Sequence, residues 1–219
     1  MSIRLARGDI VCVVDADNFT GRGFASYIAD NVQPDTFLVG CRMIGDRFEP
    51  LWDEGCVGRF AIYKSTFLDV GGMDEEHVGW GYDDLDLYER LRAKGYRCQS
   101  IDPRYTKCIA HDDSERRKEL REQHIGRDST TGEGSVWVNA RRSERNLKAN
   151  RIVLNDGRIG CGGVVRNLGQ DAQVVRERRL PRISVCIAVG EQSEEIRRSL
   201  PDNLHSTRHY PHMEFVVLD

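Results

Sequence analysis

The chain has 219 residues, of which 31% are charged, and a net charge of −3. That length holds one good core, or one core with an incomplete second unit. The near-balanced charge, with arginines scattered as on solvated helix faces, excludes bulk attraction to nucleic acid or to an anionic membrane.

The longest apolar runs, IVCVV and ISVCIAV, are strand-sized and far too short to cross a bilayer. Seven cysteines, an odd number without a CxxC pair, argue against a disulfide framework and against a structural zinc site. No signal-peptide pattern opens the sequence. A reducing, cytoplasmic setting is expected, at most peripheral to a membrane.

In chain order, DIVCVVD (residues 9–15) predicts a buried strand of a mostly parallel sheet. Residues 18–23 read as a turn and 24–31 as a helix. FLVGCRMI (37–44) predicts a second strand, followed by a polar loop holding Trp52, and CVGRFAIYK (56–64) a third. Ser65 is placed to cap a short helix, TFLDV, that Gly71 and Gly72 end. A helix is expected from about residue 83 to 94, stopped at Gly95. YRCQSI and YTKCIAH read as short strands, residues 112–127 as a charged helix and GRDSTTGEGS (126–135) as a flexible loop. A polar helix near 138–150 then leads into a glycine-studded tail. After residue 181, ISVCIAV, a helix over about 193–205 and MEFVVLD form a β–α–β unit, which requires parallel pairing. Alternating strands and helices make the class α/β.

Three acid-bearing stretches carry chemistry. Asp15 and Asp17 of DAD fall where the first strand ends, and positions i and i+2 of an extended chain share a side. Open α/β sheets bind ligands at such strand ends. Two hard oxygen donors suit Mn2+ or Mg2+, which would neutralise a diphosphate. An ordinary Asp/Asn-rich turn explains the same triplet. His111 follows the strand YTKCIA; it reads either as a structural histidine or as a third ligand, with Asp112 and Asp113 as competitors. In VGWGYDDLDLYERL (78–91), Asp83, Asp84 and Asp86 sit in the first turn of a helix, where the macrodipole favours negative charge. That leaves Trp80 between two glycines unexplained. A mobile, glycine-hinged indole beside an anchored carboxylate suits stacking on a sugar while the carboxylate, ionised as a helix-start aspartate should be, accepts a hydroxyl proton.

Taken together, DIVCVVDADNFTG, GRFAIYKSTFLDVGGMDEEHVGWGYDDLDLYERL and CIAHDD resemble GT-A glycosyltransferases, most closely family-two-like bacterial members related to beta-galactosyltransferases. The resemblance covers most of residues 3–165. It implies a GT-A (Rossmann-like) mixed sheet flanked by helices, and an inverting transfer of a sugar from a nucleotide diphosphate sugar donor to a saccharide acceptor. By position it implies that Asp15 and Asp17 hold the diphosphate, with Asp17 and His111 as ligands of Mn2+ (or Mg2+). It likewise implies Asp84 as the catalytic base, Asp83 as a contact to acceptor hydroxyls, and Trp80 as a lid touching both sugars. Tyr82 stands where relatives have glycine, Leu85 where they have an acid, and Val78 where they have tryptophan.

Residues 181–219 also resemble this family, but its first strand, first helix and second strand, which in relatives precede DxD. Asp219 matches the acid beside the nucleotide base. The expectation is therefore an incomplete or permuted fold: residues 1–178 form the C-terminal portion of a GT-A domain, and 179–219 the N-terminal β–α–β portion of such a domain. The back of one tandem domain followed by the front of the next is the favoured form, with a circular permutant as its rival. A homo-oligomer, or a partner domain completing the sheet, would follow. Two other functions stay open. One is an inactive fragment or sugar-binding module. The other is a haloacid-dehalogenase-like phosphatase, which needs threonine four residues after Asp15, where this chain has Phe19.

Overall fold

The computed structural model describes residues 2–44, 47–49, 56–109, 133–157, 159, 183–188, 193–207 and 213–218. The strands are β1 (Ile10–Val13), β2 (Asn18–Phe19), β3 (Thr36–Val39), β4 (Arg42–Ile44), β5 (Arg47–Glu49), β6 (Phe60–Tyr63), β7 (Arg97–Ser100), β8 (Lys107–Cys108), β9 (Ile183–Ala188) and β10 (Met213–Leu218). The helices are α1 (Ser2–Leu5), α2 (Phe24–Asn31), α3 (Lys64–Asp69), α4 (Asp83–Ala93), α5 (Glu133–Lys148) and α6 (Ser193–Thr207).

Six strands form one mixed sheet in the order β10-β9-β1-β6-β3-β7. β6 runs antiparallel to both its neighbours, β1 and β3, while β9 pairs parallel with β1 and with β10. β3 and β7 pair in parallel. This is the mixed α/β sheet flanked by helices that the sequence led us to expect. The C-terminal β9–α6–β10 unit lies in the same sheet as β1 of its own chain, with Ile10 opposite Ile183 and Val13 opposite Cys186.

Strand alternation divides the core into two faces. Val11, Phe37, Val39, Phe60 and Ile62 pack with Phe67 of α3 and with Leu87, Tyr88 and Leu91 of α4. Ile10, Cys12, Leu38, Ala61, Ile183 and Val185 turn to the other face, against Phe24, Ala25 and Ile28 of α2. The expected apolar pair Leu87 and Leu91 is fully buried, which fixes the face of α4 and therefore where its first turn points.

Four local expectations change. The run 37–44 is not one strand: β3 ends at Val39, and β4 leaves the main sheet to form a hairpin with β5. Gly40 allows this, because a Cβ there would run into the backbone carbonyl of Cys56. Asn18 and Phe19, expected in a turn, pair antiparallel with Cys108 and Lys107. Ser65 is not a cap, since α3 starts at Lys64 with Tyr63 preceding it and no side-chain cap bond. Gly71 and Gly72 do end α3: both adopt positive φ, and their N–H groups return to the carbonyls of Leu68 and Phe67. Finally, α5 begins at Glu133, so residues 133–135 of the expected loop are helical. The expected helix over 112–127 lies outside the described residues.

Candidate active site

Asp15 and Asp17 follow β1 in a short loop gripped from two sides. From α6, the Ser199 hydroxyl donates to the Ala16 carbonyl, and Asn203 Nδ2 donates to Asn18 O at 3.0 Å. Asn203 Oδ1 accepts from both the N–H and the hydroxyl of Thr20, at 2.7 and 3.0 Å. Directly after β8, the N–H of Ile109 donates to Asp17 O at 2.6 Å. Ser199, Asn203, Asn18 and Thr20 are all buried, so these bonds are shielded from water. Two polar residues one helical turn apart in the C-terminal unit thus hold the loop that carries the acid pair.

Below the loop lies Arg59, wholly buried at the head of β6. Its guanidinium donates to Phe19 O at 3.0 Å and to Lys107 O at 3.4 Å. Burial pulls its pKa below the ordinary value, while Cys56, Asp15 and Asp17 oppose that shift. A buried cation thus lies within electrostatic reach of both aspartates of DAD.

Asp84 enters the same place from α4. A Cβ built on Gly58 would sit 2.9 and 3.2 Å from the two Asp15 carboxylate oxygens and 3.3 Å from Asp84 Oδ2. Asp15 and Asp84 thus converge over a residue without a side chain. The Asp84 carboxyl is pushed well above the usual carboxylate range, by burial first and then by the charges of Asp83 and Asp15. Asp84 is therefore not an ordinary helix-start aspartate. The macrodipole contributes about 0.3–1 kcal/mol, and here desolvation and two neighbouring anions outweigh it. Tyr88 packs beneath, its hydroxyl donating to Val57 O at 2.9 Å. Burial, then Asp84, drive the Tyr88 pKa up.

The Trp80 loop also differs from expectation. Trp80 is 40% exposed. Gly79 and Gly81 adopt φ of 61° and 93°, and Tyr82, at the position of the relatives' glycine, has φ 71°. The glycines serve a tight left-handed turn rather than a hinge. That turn is packed on α5: a Cβ on Gly81 would lie 2.6 Å from Val136 Cγ2, and Ser135 and Asn139 bond its backbone. Tyr82 leads from the acids into a cavity of ≈380 Å³ shared with Glu89, Trp137, Arg141, Glu144 and Lys148.

Asp15, Asp17, Asp83, Asp84 and Trp80 have therefore been placed, while His111 and Asp219 lie outside the described residues. The donor set fits a hard divalent cation: carboxylate oxygens of Asp15 and Asp84 that approach each other over Gly58, and crowded like charges that a cation would relieve. Among the described residues no group of three or more His, Cys, Asp or Glu side chains forms a complete metal site. Burial raises the Cys41 and Cys56 thiols to about 12, so without a metal they stay protonated at neutral pH.

Sequence reading missed Gly58, Arg59, Ser135, Asn139, Ser199 and Asn203. Arg59 left a faint signal, a cation heading the apolar run FAIY; the others are legible only through their partners. Gly58→Ala is expected to weaken manganese-dependent nucleotide binding by about tenfold or more, because its methyl would intrude between the carboxylates. Calorimetry checks this, and unchanged binding would show that the close approach of Asp15 and Asp84 over Gly58 plays no part in it.

Comparison with known proteins agrees with this geometry. Residues 48–112 match the family model described as the N-terminal domain of galactosyltransferase. Over 46 residues the chain is 41% identical to chondroitin sulfate synthase 3 of Homo sapiens and, equally, of Mus musculus. That stretch is 21% of this chain and 5% of those relatives, so it compares a small part of much longer proteins. The mixed sheet and both comparisons support a GT-A-like glycosyltransferase region that includes residues 48–112.

Proposed function

We propose that the chain is an inverting, metal-dependent glycosyltransferase that moves a hexosyl unit from a nucleotide diphosphate sugar to a saccharide hydroxyl. The observation that carries the reading is the convergence of Asp15, from the end of β1, and Asp84, from the start of α4, over Gly58. The matched relatives are named as chondroitin sulfate synthases, which supports a growing polysaccharide as the acceptor.

In this reading Asp15 and Asp17 receive the diphosphate end of the donor. Asp17 and His111 would hold Mn2+ or Mg2+; support comes from the bond that ties Ile109, two residues before His111, to Asp17. Bound there, the cation would supply positive charge to the departing diphosphate. Asp83 accepts hydrogen bonds from acceptor hydroxyls, and the Trp80 indole stacks on the sugars. Asp84 takes the proton from the attacking hydroxyl. As the new bond to the anomeric carbon forms, the bond to the diphosphate breaks on the opposite side, which inverts the centre. The raised pKa makes ionised Asp84 a stronger base than an ordinary aspartate.

Residues 1–178 supply the acids and the acceptor side, and 179–219 the β–α–β unit beside the donor, with Asp219 assigned to the nucleotide. The grip of Ser199 and Asn203 on the DAD loop supports that division of labour. A reducing, cytoplasmic setting belongs to the same reading, supported by six free cysteines among the described residues.

Calorimetry against uridine and guanosine diphosphates, with and without manganese, tests the proposal. Metal-dependent heat for at least one nucleotide is expected. No such heat for either would favour an inactive remnant or a simple sugar-binding module.

A further inference from the structure

Ser135, Asn139, Arg142 and Asn146 recur along α5 at intervals of four, three and four residues, which places them on one stripe. All four reach the segment between β6 and α4. Arg142 pairs with Asp74 at 2.6 Å and with Glu76 at 2.7 Å, and Asn146 Nδ2 donates to Asp74 at 3.4 Å. Burial pushes the Asp74 carboxyl up, but bonds from Arg142 and the Glu76 N–H outweigh it and hold the pKa below the ordinary value. This end of the stripe anchors the segment.

The other end meets Trp80. Asn139 Oδ1 accepts from the Val78 N–H at 3.0 Å, while its Nδ2 donates to Val78 O at 3.1 Å and to Gly81 O at 2.8 Å. The Ser135 hydroxyl donates to Trp80 O at 2.7 Å and accepts from the Trp80 N–H at 3.3 Å. Both side chains are almost wholly buried, at 1% and 4% exposure. The Val78, Trp80 and Gly81 backbone is thus held while the indole stays accessible. Two glycines beside the tryptophan leave the loop little stiffness of its own. The hydrogen bonds must come from outside the loop, and α5 supplies them.

We infer that Ser135 and Asn139 are positioning residues that preset the Trp80 indole for the acceptor sugar. The inference rests on the glycosyl-transfer reading and goes beyond it, because it assigns substrate presentation to a helix that touches neither the acid pair nor the donor loop in any bond described above. Fixing the loop before the acceptor arrives removes an ordering cost that binding would otherwise meet.

Kinetics with saturating donor test it. Ser135→Ala and Asn139→Ala are expected to raise the acceptor KM by about three- to tenfold for each hydrogen bond lost, with the donor KM near the parent value. Ser135→Thr, which keeps the hydroxyl, should restore the acceptor KM. In a Trp80→Ala background the Asn139→Ala change should add almost nothing, since its effect passes through the indole. Additive effects, or equal losses for donor and acceptor, would overturn the inference.

A second measurement does not need turnover. In a Trp52→Phe, Trp137→Phe protein, Trp80 is the sole tryptophan, and Ser135→Ala should enlarge the fast component of its fluorescence depolarisation. Unchanged depolarisation in a folded Ser135→Ala protein overturns the inference. A clear response in a protein that transfers no sugar would instead uphold the positioning and remove the glycosyl-transfer reading.

Discussion

Replacing Asp84 by asparagine is expected to lower sugar transfer by about 10²–10⁴-fold, with nucleotide and manganese binding close to the parent. The amide keeps the size of the side chain but cannot take the proton. Stability should move the other way. Burial, then Asp83 and Asp15, raise the Asp84 pKa, so the native state holds this proton more tightly than the unfolded chain does. The group's stabilising contribution is full below the unfolded value, about 3.9, and is lost as pH rises through the higher native value. At neutral pH an ionised Asp84 therefore opposes folding, and asparagine removes that opposition. In metal-free buffer Asp84→Asn should melt above the parent at pH 7, with the gap closing toward pH 4 or so. A variant that loses nucleotide binding together with turnover, or melts below the parent, would mark Asp84 as structural.

The second large effect lies two residues further along α4. Asp86 and Arg90 form an ion pair at 2.7 Å with both side chains 0% exposed. Arg90 also donates to Val70 O at 2.9 Å and to Gly72 O at 2.6 Å, which ties α4 to the glycine turn after α3. Asp86→Ala leaves a buried guanidinium without its counter-charge and should cost about 3–5 kcal/mol. Urea unfolding would show this as a lower midpoint at unchanged slope. Asp86→Leu combined with Arg90→Met should recover part of the loss, because no charge then remains buried. A single variant as stable as the parent would mean that water reaches the pair.

These neighbours show why sequence reading succeeds and fails within one helical turn. Asp83, Asp84 and Asp86 look alike as acids at a helix start, and the macrodipole accounts for all three. Packing gives them different roles. Leu87 and Leu91 turn one face of α4 to the core, and Asp86 goes inward with them to meet Arg90. Asp84 points to Gly58 and Asp15, where burial and then neighbouring acids raise its pKa above that of an ordinary helix-start aspartate. A helical period predicts a face, but it says nothing about which charge waits opposite.

The two glycines around Trp80 teach the same lesson. Glycine permits both a hinge and a tight left-handed turn, so the local sequence is compatible with mobility and with fixation. Ser135 and Asn139, more than 50 residues away, decide between them. Tyr82 at positive φ shows the turn extending through a non-glycine residue as well. Likewise, DAD read alone fits an ordinary turn. Arg59 beneath it and Ser199 and Asn203 beside it make it a held acid pair, and none of these lies near it in sequence.

The sequence by itself determined the class, the continuous apolar runs that bury β1 and β9, the span of α2, the stop of α4 before Gly95 and the stretches where acids would gather. Those features depend on short-range periodicity and on turn residues, whose physics is contained in a few neighbouring positions. Only the tertiary structure decided that the C-terminal β9–α6–β10 unit joins the sheet beside β1, that Asp15 meets Asp84 over Gly58, and that α5 holds the Trp80 loop. Each of these is a contact between segments far apart in the chain. Its energy depends on burial and charge at the meeting point, and that environment exists only after the chain has folded.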